Sequence, residues 1–175
     1  VWNALVAAAS AQDWTALQQT MDVENYIDYM LLEFYAGNDW DWNHSQNWGA
    51  ATARSGGDGY QFFAWDSDVK MRTTPAANVV NRGGPGNLWG TISQIPEFRL
   101  LLADHVQKHF FHDGVFTPDQ VLAQVNELAA KTALPVIAET ARWAQNYTPN
   151  SWQGYVDWIT DSFVPQRTRR VLSQL

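Results

Sequence analysis

Cysteine is absent from the 175 residues. That removes disulfides and any cysteine-ligated zinc or iron–sulfur site, while leaving the compartment open. Basic residues are sparse as well: 11 Lys and Arg stand against 18 Asp and Glu, for a formal charge of −7. With so few cations and no cluster of them, the chain lacks the electrostatic footprint of a nucleic-acid binder. No apolar run approaches the roughly 18 residues that a membrane-spanning helix needs. Charged residues at 17% are also too few for a disordered chain. What is plentiful is tryptophan, at ten residues, and hydrophobic residues at 46%. Residues 1–175 therefore read as a single domain able to bury a core without covalent staples. The chain starts at Val1 inside a helical pattern, without a basic n-region or signal-type apolar core, and so reads as the middle or end of a longer product.

Periodicity then divides the chain. Trp2, Leu5, Val6 and Ala9 follow helical spacing, as do Trp14, Leu17 and Met21. Asp22 is placed to cap a helix carrying Val23, Tyr26, Ile27, Met30, Leu31 and Phe34, which Ala36-Gly37-Asn38 ends. The polar, aromatic run 39–48 has no period and reads as a loop. Residues 48–54 and 60–65 flank Ser55-Gly56-Gly57-Asp58-Gly59, predicting a β-hairpin with a longer connection. From Thr73 to Gly90 the composition shifts to Pro, Gly and Asn, predicting a long loop. Pro96 and Pro118 stand at first helical positions, Pro135 is expected to break or restart a helix, and a last helical segment runs from Ser151. The expected architecture is mainly α, roughly six helices with one inserted hairpin.

The densest polar cluster is Asp39, Asp41, Asn43 and Asn47, followed across the hairpin by Asp66 and Asp68. Phosphoryl transfer needs a carboxylate to receive or orient the substrate hydroxyl, with an amide and a second carboxylate to hold the magnesium that bridges the phosphates. A hairpin between the two segments returns the chain to the side it left, which explains how they converge. Spacing alone is a weak signal and favours an ordinary Asp/Asn loop, because both residues bond their own backbone in turns.

Several ordered motifs bear on this choice: Asp22-Val23-Glu24-Asn25-Tyr26-Ile27-Asp28-Tyr29 through Gly37-Asn38, the Asp-Trp loop with Asn47-Trp48, and Phe62-Phe63-Ala64-Trp65-Asp66. Pro96-Glu97-Phe98-Arg99, the stretch from Ala103 to Gly114, Ile137 to Trp143, and Phe163-Val164-Pro165-Gln166-Arg167 continue them. From about Asp22 onward the chain resembles the CotH kinase family, the spore coat protein H relatives. That resemblance implies a protein-kinase-like C-terminal lobe and ATP-dependent phosphate transfer to Ser/Thr hydroxyls of proteins. It implies Asp41 as the catalytic-loop aspartate, or Asp39 in the alternative register, since Asp-Trp is doubled at 39–42 and the family's following proline is lacking. It also implies Asn47 and Asp66 as metal ligands, with Asp68 assisting, ATP and Mg2+ as cofactors with Ca2+ or Mn2+ as alternative ions, and an extracellular, cell-surface or coat setting. Nothing before Asp22 resembles the family's N-terminal nucleotide lobe, so that lobe of the same product is an expected partner and weak ATP binding by these residues alone is expected. The acidic balance points to basic protein substrates as weak steering.

Other readings of the same residues compete. Asp39, Asp41, Asn43 and Ser45 alternate as calcium-loop ligands do, but His44 and Ala50 stand where that loop needs Gly and Glu. His105, His109 and His112 fall on one helical stripe with Asp113 close behind, yet Val106 replaces the Glu of the zinc-protease motif, which favours a half-buried structural stripe. Gly83, Gly84 and Gly86 read as a flexible loop near the substrate cleft rather than a phosphate cradle, and Arg72 and Arg82 either contact phosphate or are solvated. Trp14, Trp143, Trp152 and Trp158 are expected in core or half-buried packing. Trp40, Trp42 and Trp48 either buttress the catalytic Asp or form the sugar-stacking face of a carbohydrate- or protein-binding module, the alternative function; a pseudokinase shares the same pattern.

Overall fold

In a computed structural model the described residues are 2–37, 42, 47–54, 57, 59–67, 70–80, 82–143 and 148–175. They form helices α1 (Trp2–Ala11), α2 (Trp14–Thr20) and α3 (Val23–Ala36), then strands β1 (Trp48–Ala51) and β2 (Gln61–Ala64). Helices α4 (Trp89–Ile92), α5 (Pro96–Phe110), α6 (Pro118–Trp143), α7 (Pro149–Asp157) and α8 (Val164–Leu172) follow, with a π-helical turn over Trp158–Phe163 joining the last two. The described part is thus mainly helical with one small antiparallel sheet, as the periodicity predicts. No helix of the described residues is long and apolar enough to cross a membrane.

Helix α3 organises the rest. Its start is fixed by Asp22, whose carboxylate accepts the Asn25 N–H at 3.0 Å, satisfying one of the first-turn donors that have no partner within a helix. Tyr26, Ile27, Met30, Leu31 and Phe34 are buried, but so are Tyr29, Glu33 and Tyr35, so the helix is enclosed on nearly every side. Phe62 from β2 meets Tyr26 edge-on at 4.9 Å, and Trp89 meets Phe34 at 4.9 Å. Asn25 docks the hairpin: its side-chain carbonyl accepts the Phe62 N–H at 2.5 Å and its amide donates to the Phe62 carbonyl at 3.2 Å. One side chain thereby imitates a neighbouring strand on the free edge of β2.

The C-terminal end of α3 is closed with equal completeness. Gly37 takes a left-handed conformation (φ 71°) and donates to the Glu33 carbonyl. The carbonyls left over each find a donor: Phe34 and Tyr35 accept from the Arg167 guanidinium, Ala36 from the Met71 N–H at 3.0 Å and Gly37 from the Thr73 hydroxyl at 2.8 Å. Arg167 also donates to the carbonyls of Pro75 and Ala77 at 2.8 and 2.7 Å. A cation here suits the negative end of the helix dipole. Burial pushes the Arg167 guanidinium down to about 10, with Tyr35 opposing the shift, so it remains charged at neutral pH. One turn earlier, fully buried Glu33 binds the Lys70 ammonium at 2.5 Å. The segment after β2 is in this way strapped across the end of α3.

Three expectations are corrected. Pro135 does not interrupt its helix: α6 runs unbroken through it for 26 residues. The turn around it is exposed, so water can satisfy the carbonyl that loses its N–H partner. The Gly83–Gly86 stretch is not a loose loop. Gly84 and Pro85 are buried where a 3₁₀ turn, Pro85–Asn87, begins, and a Cβ on Gly84 would meet the Met30 methyl at 3.1 Å. Trp143 is 55% exposed and Trp158 36%, rather than core; the Trp158 indole donates to the Met71 carbonyl at 3.2 Å. Trp14 and Trp152 are half-buried as expected.

Candidate functional site

The register of the hairpin decides where the sequence-predicted ligands go. Trp48 pairs with Ala64, Gly49 with Phe63, Ala50 with Phe62 and Ala51 with Gln61. Asn47 therefore enters β1 at the same end from which Trp65 and Asp66 leave β2. Asn47 is half-buried and Asp66 exposed. Asp66 adopts a left-handed backbone (φ 54°), a conformation that Asp tolerates better than most residues but that still costs about 1 kcal/mol or more. Met71 repeats it a little further along the strap (φ 60°). An amide oxygen and a carboxylate are hard donors, the set that suits Mg2+, so the residues present fit the expected ion. Asp39, Asp41, Asn43 and Asp68 lie outside the described residues.

The frame beneath this end is rigid by construction. The strap beginning at Trp65 is hydrogen-bonded to the closed end of α3, through Met71 to Ala36 and Thr73 to Gly37. At the other end of β2, Tyr60 exchanges hydrogen bonds with Thr20 and Asp22 at 2.9 Å each. Gly59 is required there: its φ is +82°, and a Cβ would stand 2.4 Å from the Met21 nitrogen.

The described tryptophans of the loop are structural. Trp42 is fully buried against Phe34, and Trp48 stacks on Trp2 at 5.6 Å and on Phe62 at 6.2 Å. Neither offers the open indole face that sugar stacking needs, which removes both from the alternative carbohydrate reading; Trp40 is outside the described residues. Arg72 is held by Tyr155, donating to its hydroxyl at 2.9 Å with the guanidinium 4.8 Å from the ring centre. It forms part of a cavity of about 490 Å³ with Lys70, Trp152, Trp158 and Glu139, on the side of the strap toward α6 and α7. Asn47 and Asp66 do not line that cavity.

The histidine stripe resolves differently from its sequence pattern. His105 is buried and His109 half-buried on α5, whereas His112 lies beyond the helix, exposed and left-handed (φ 54°). Their acid is Asp28 of α3, not Asp113: its Oδ1 lies 2.5 Å from His105 Nδ1 and 2.8 Å from His109 Nε2. Partial burial alone would raise the Asp28 pKa, but hydrogen bonds and charge from His105, then His109, outweigh it and hold the carboxyl below its ordinary value. Sequence reasoning missed Asp28 because 77 residues separate it from His105. The one available signal was its place on α3 one turn after Asn25, half-buried on a helix that is otherwise largely enclosed.

Compared with known families, residues 2–171 match the family described as CotH kinase protein. No curated protein and no solved structure matches the chain. The match begins twenty residues before the Asp22 motif and so takes in α1 and α2 as well.

Proposed function

The chain belongs to the CotH kinase family, and from that membership we propose that it carries the metal-binding and acceptor-activating half of a phosphotransferase acting on protein Ser/Thr hydroxyls. Kinase chemistry uses ATP with a divalent ion in general. In this reading the fold corresponds to a protein-kinase C-terminal lobe, Asn47 and Asp66 hold Mg2+ with Asp68 assisting, and Asp41, or Asp39 in the other register, orients the acceptor hydroxyl and takes its proton. When bound, the ion neutralises charge on the transferring phosphoryl group. The protein's own part is positioning. Asn47 directly precedes the first paired residue of β1, Asp66 follows the last of β2 by two residues, and the segment bearing Asp41 departs from a helix end whose carbonyls are all engaged. The proposed setting is extracellular or at a cell or coat surface, with a basic protein as acceptor.

The observation that carries the reading is the hairpin register, which sends Asn47 and Asp66 out of one end of the ladder. The test is metal-dependent transfer of labelled phosphate from ATP to a basic protein acceptor, measured in the full-length protein. Asp66→Ala and Asn47→Ala should each lower turnover by about 100-fold or more, on the scale of losing a transition-state charge partner. Asp41→Ala should do the same with ATP affinity preserved. Turnover unchanged in Asp66→Ala would reject the assignment.

A further inference from the structure

Asp28, His105 and His109 bring three donor atoms to within 4.8 Å of one another, at a place the phosphotransferase reading does not use. We propose that these residues form a second cation site, selective for a divalent transition ion of the zinc class, with His105 Nδ1, His109 Nε2 and an Asp28 carboxylate oxygen as ligands and one position open.

The ligand chemistry points to that class. Two imidazoles and a carboxylate suit zinc and its neighbours, whereas Mg2+ prefers oxygen and water. The elements supply the spacing: His105 and His109 are one turn apart on α5, and Asp28 faces them from α3. Both ring nitrogens approach the same Asp28 oxygen, at 2.5 and 2.8 Å. A tetrahedral ion with ligand bonds of about 2.0–2.1 Å holds its donors about 3.3 Å apart. The two nitrogen–oxygen distances, 2.5 and 2.8 Å, therefore need to widen by less than an ångström, while the two ring nitrogens, within 4.8 Å of each other, must settle at the same spacing. Asp28 can provide that movement, since its side chain is 43% exposed while the His105 and His109 side chains are held at 6% and 14%.

An open fourth position also has somewhere to point. Asp28 and His109 line a cavity of about 380 Å³ whose other walls include Leu32, Phe116, Val121 and Gln124. It is large enough for a water or a small anionic ligand on the ion and offers a path of entry. Phe116 packs edge-on against the His109 ring at 6.0 Å and limits its rotation. An imidazole nitrogen binds a metal only when it carries no proton, so uptake weakens as the pH falls.

The test is titration of the metal-stripped chain with Zn2+ by calorimetry, paired with Co2+ substitution read by visible absorption. The expected result is one equivalent bound, a low-coordinate cobalt spectrum, a rise in melting temperature with zinc, and no displacement by excess Mg2+. His109→Gln and Asp28→Asn, which keep hydrogen-bonding capacity and so the α3–α5 contact, should weaken zinc binding about 100-fold or more, whereas His112→Ala should leave it unchanged. Absence of stoichiometric uptake, weak binding at several sites, displacement by Mg2+, or binding that survives His109→Gln would each overturn the proposal.

Discussion

Arg167 shows how one side chain can decide whether a distant loop is held. It is fully buried, and its named partners are carbonyl oxygens, two of them at the end of α3. Arg167→Ala should cost about 3 kcal/mol or more, since charge-assisted hydrogen bonds are lost and buried carbonyls are stranded. Arg167→Lys should recover little, because one ammonium cannot span the fork that reaches Tyr35, Pro75 and Ala77 together. Urea denaturation of the two variants checks both statements. Asp28 makes a pH-dependent contribution whose sign follows from its lowered pKa. The folded state holds the carboxylate charged more strongly than the unfolded chain does. The stabilisation is therefore complete above the ordinary carboxylate value of about 4 and is lost as the pH falls through the lower folded value. In metal-free buffer, Asp28→Asn should flatten the acid side of the stability profile between about pH 5 and 3; an unchanged slope in denaturation midpoints would contradict it.

At the scale of elements, the hairpin depends on α3 more than on itself, since two strands of four residues are marginal alone. Asn25→Ala leaves the Phe62 N–H and carbonyl without their partner. It should cost about 1–3 kcal/mol, and amide hydrogen exchange at Gln61–Ala64 should accelerate more than exchange within α5. Equal protection in the variant would show that the hairpin is held otherwise. Most element boundaries were legible in the sequence because their signals are local: Asp22 as a cap, Gly37 as a left-handed stop, and Pro96 and Pro118 at first turns. The strands came out shorter than their apolar runs, ending at Ala51 and beginning at Gln61, because pairing stops where the chain turns toward Gly59. Pro135 misled because a proline costs a helix least where solvent replaces the missing bond.

In the whole molecule the legible and illegible parts divide by distance along the chain. The hairpin that puts Asn47 and Asp66 at one end of its ladder was readable because a hairpin is a local device with a definite register. The contacts that fix that hairpin to its frame, Asn25 with Phe62, Lys70 with Glu33 and Arg167 with Tyr35, join residues 37, 37 and 132 positions apart, and no short-range pattern announces them. The same is true of Asp28 with its histidines. Helix α3 emerges as the common support for both the hairpin, docked through Asn25, and the His–Asp cluster, met through Asp28. The proposed catalytic ion sits at the hairpin end carrying Asn47 and Asp66, and paramagnetic broadening of amide signals by Mn2+ in the presence of excess zinc would locate it. Signals of Asn47, Trp48 and Trp65–Ser67 should be lost together, and Asp66→Asn should abolish the effect; broadening that spares this end, or that persists in Asp66→Asn, would contradict the placement.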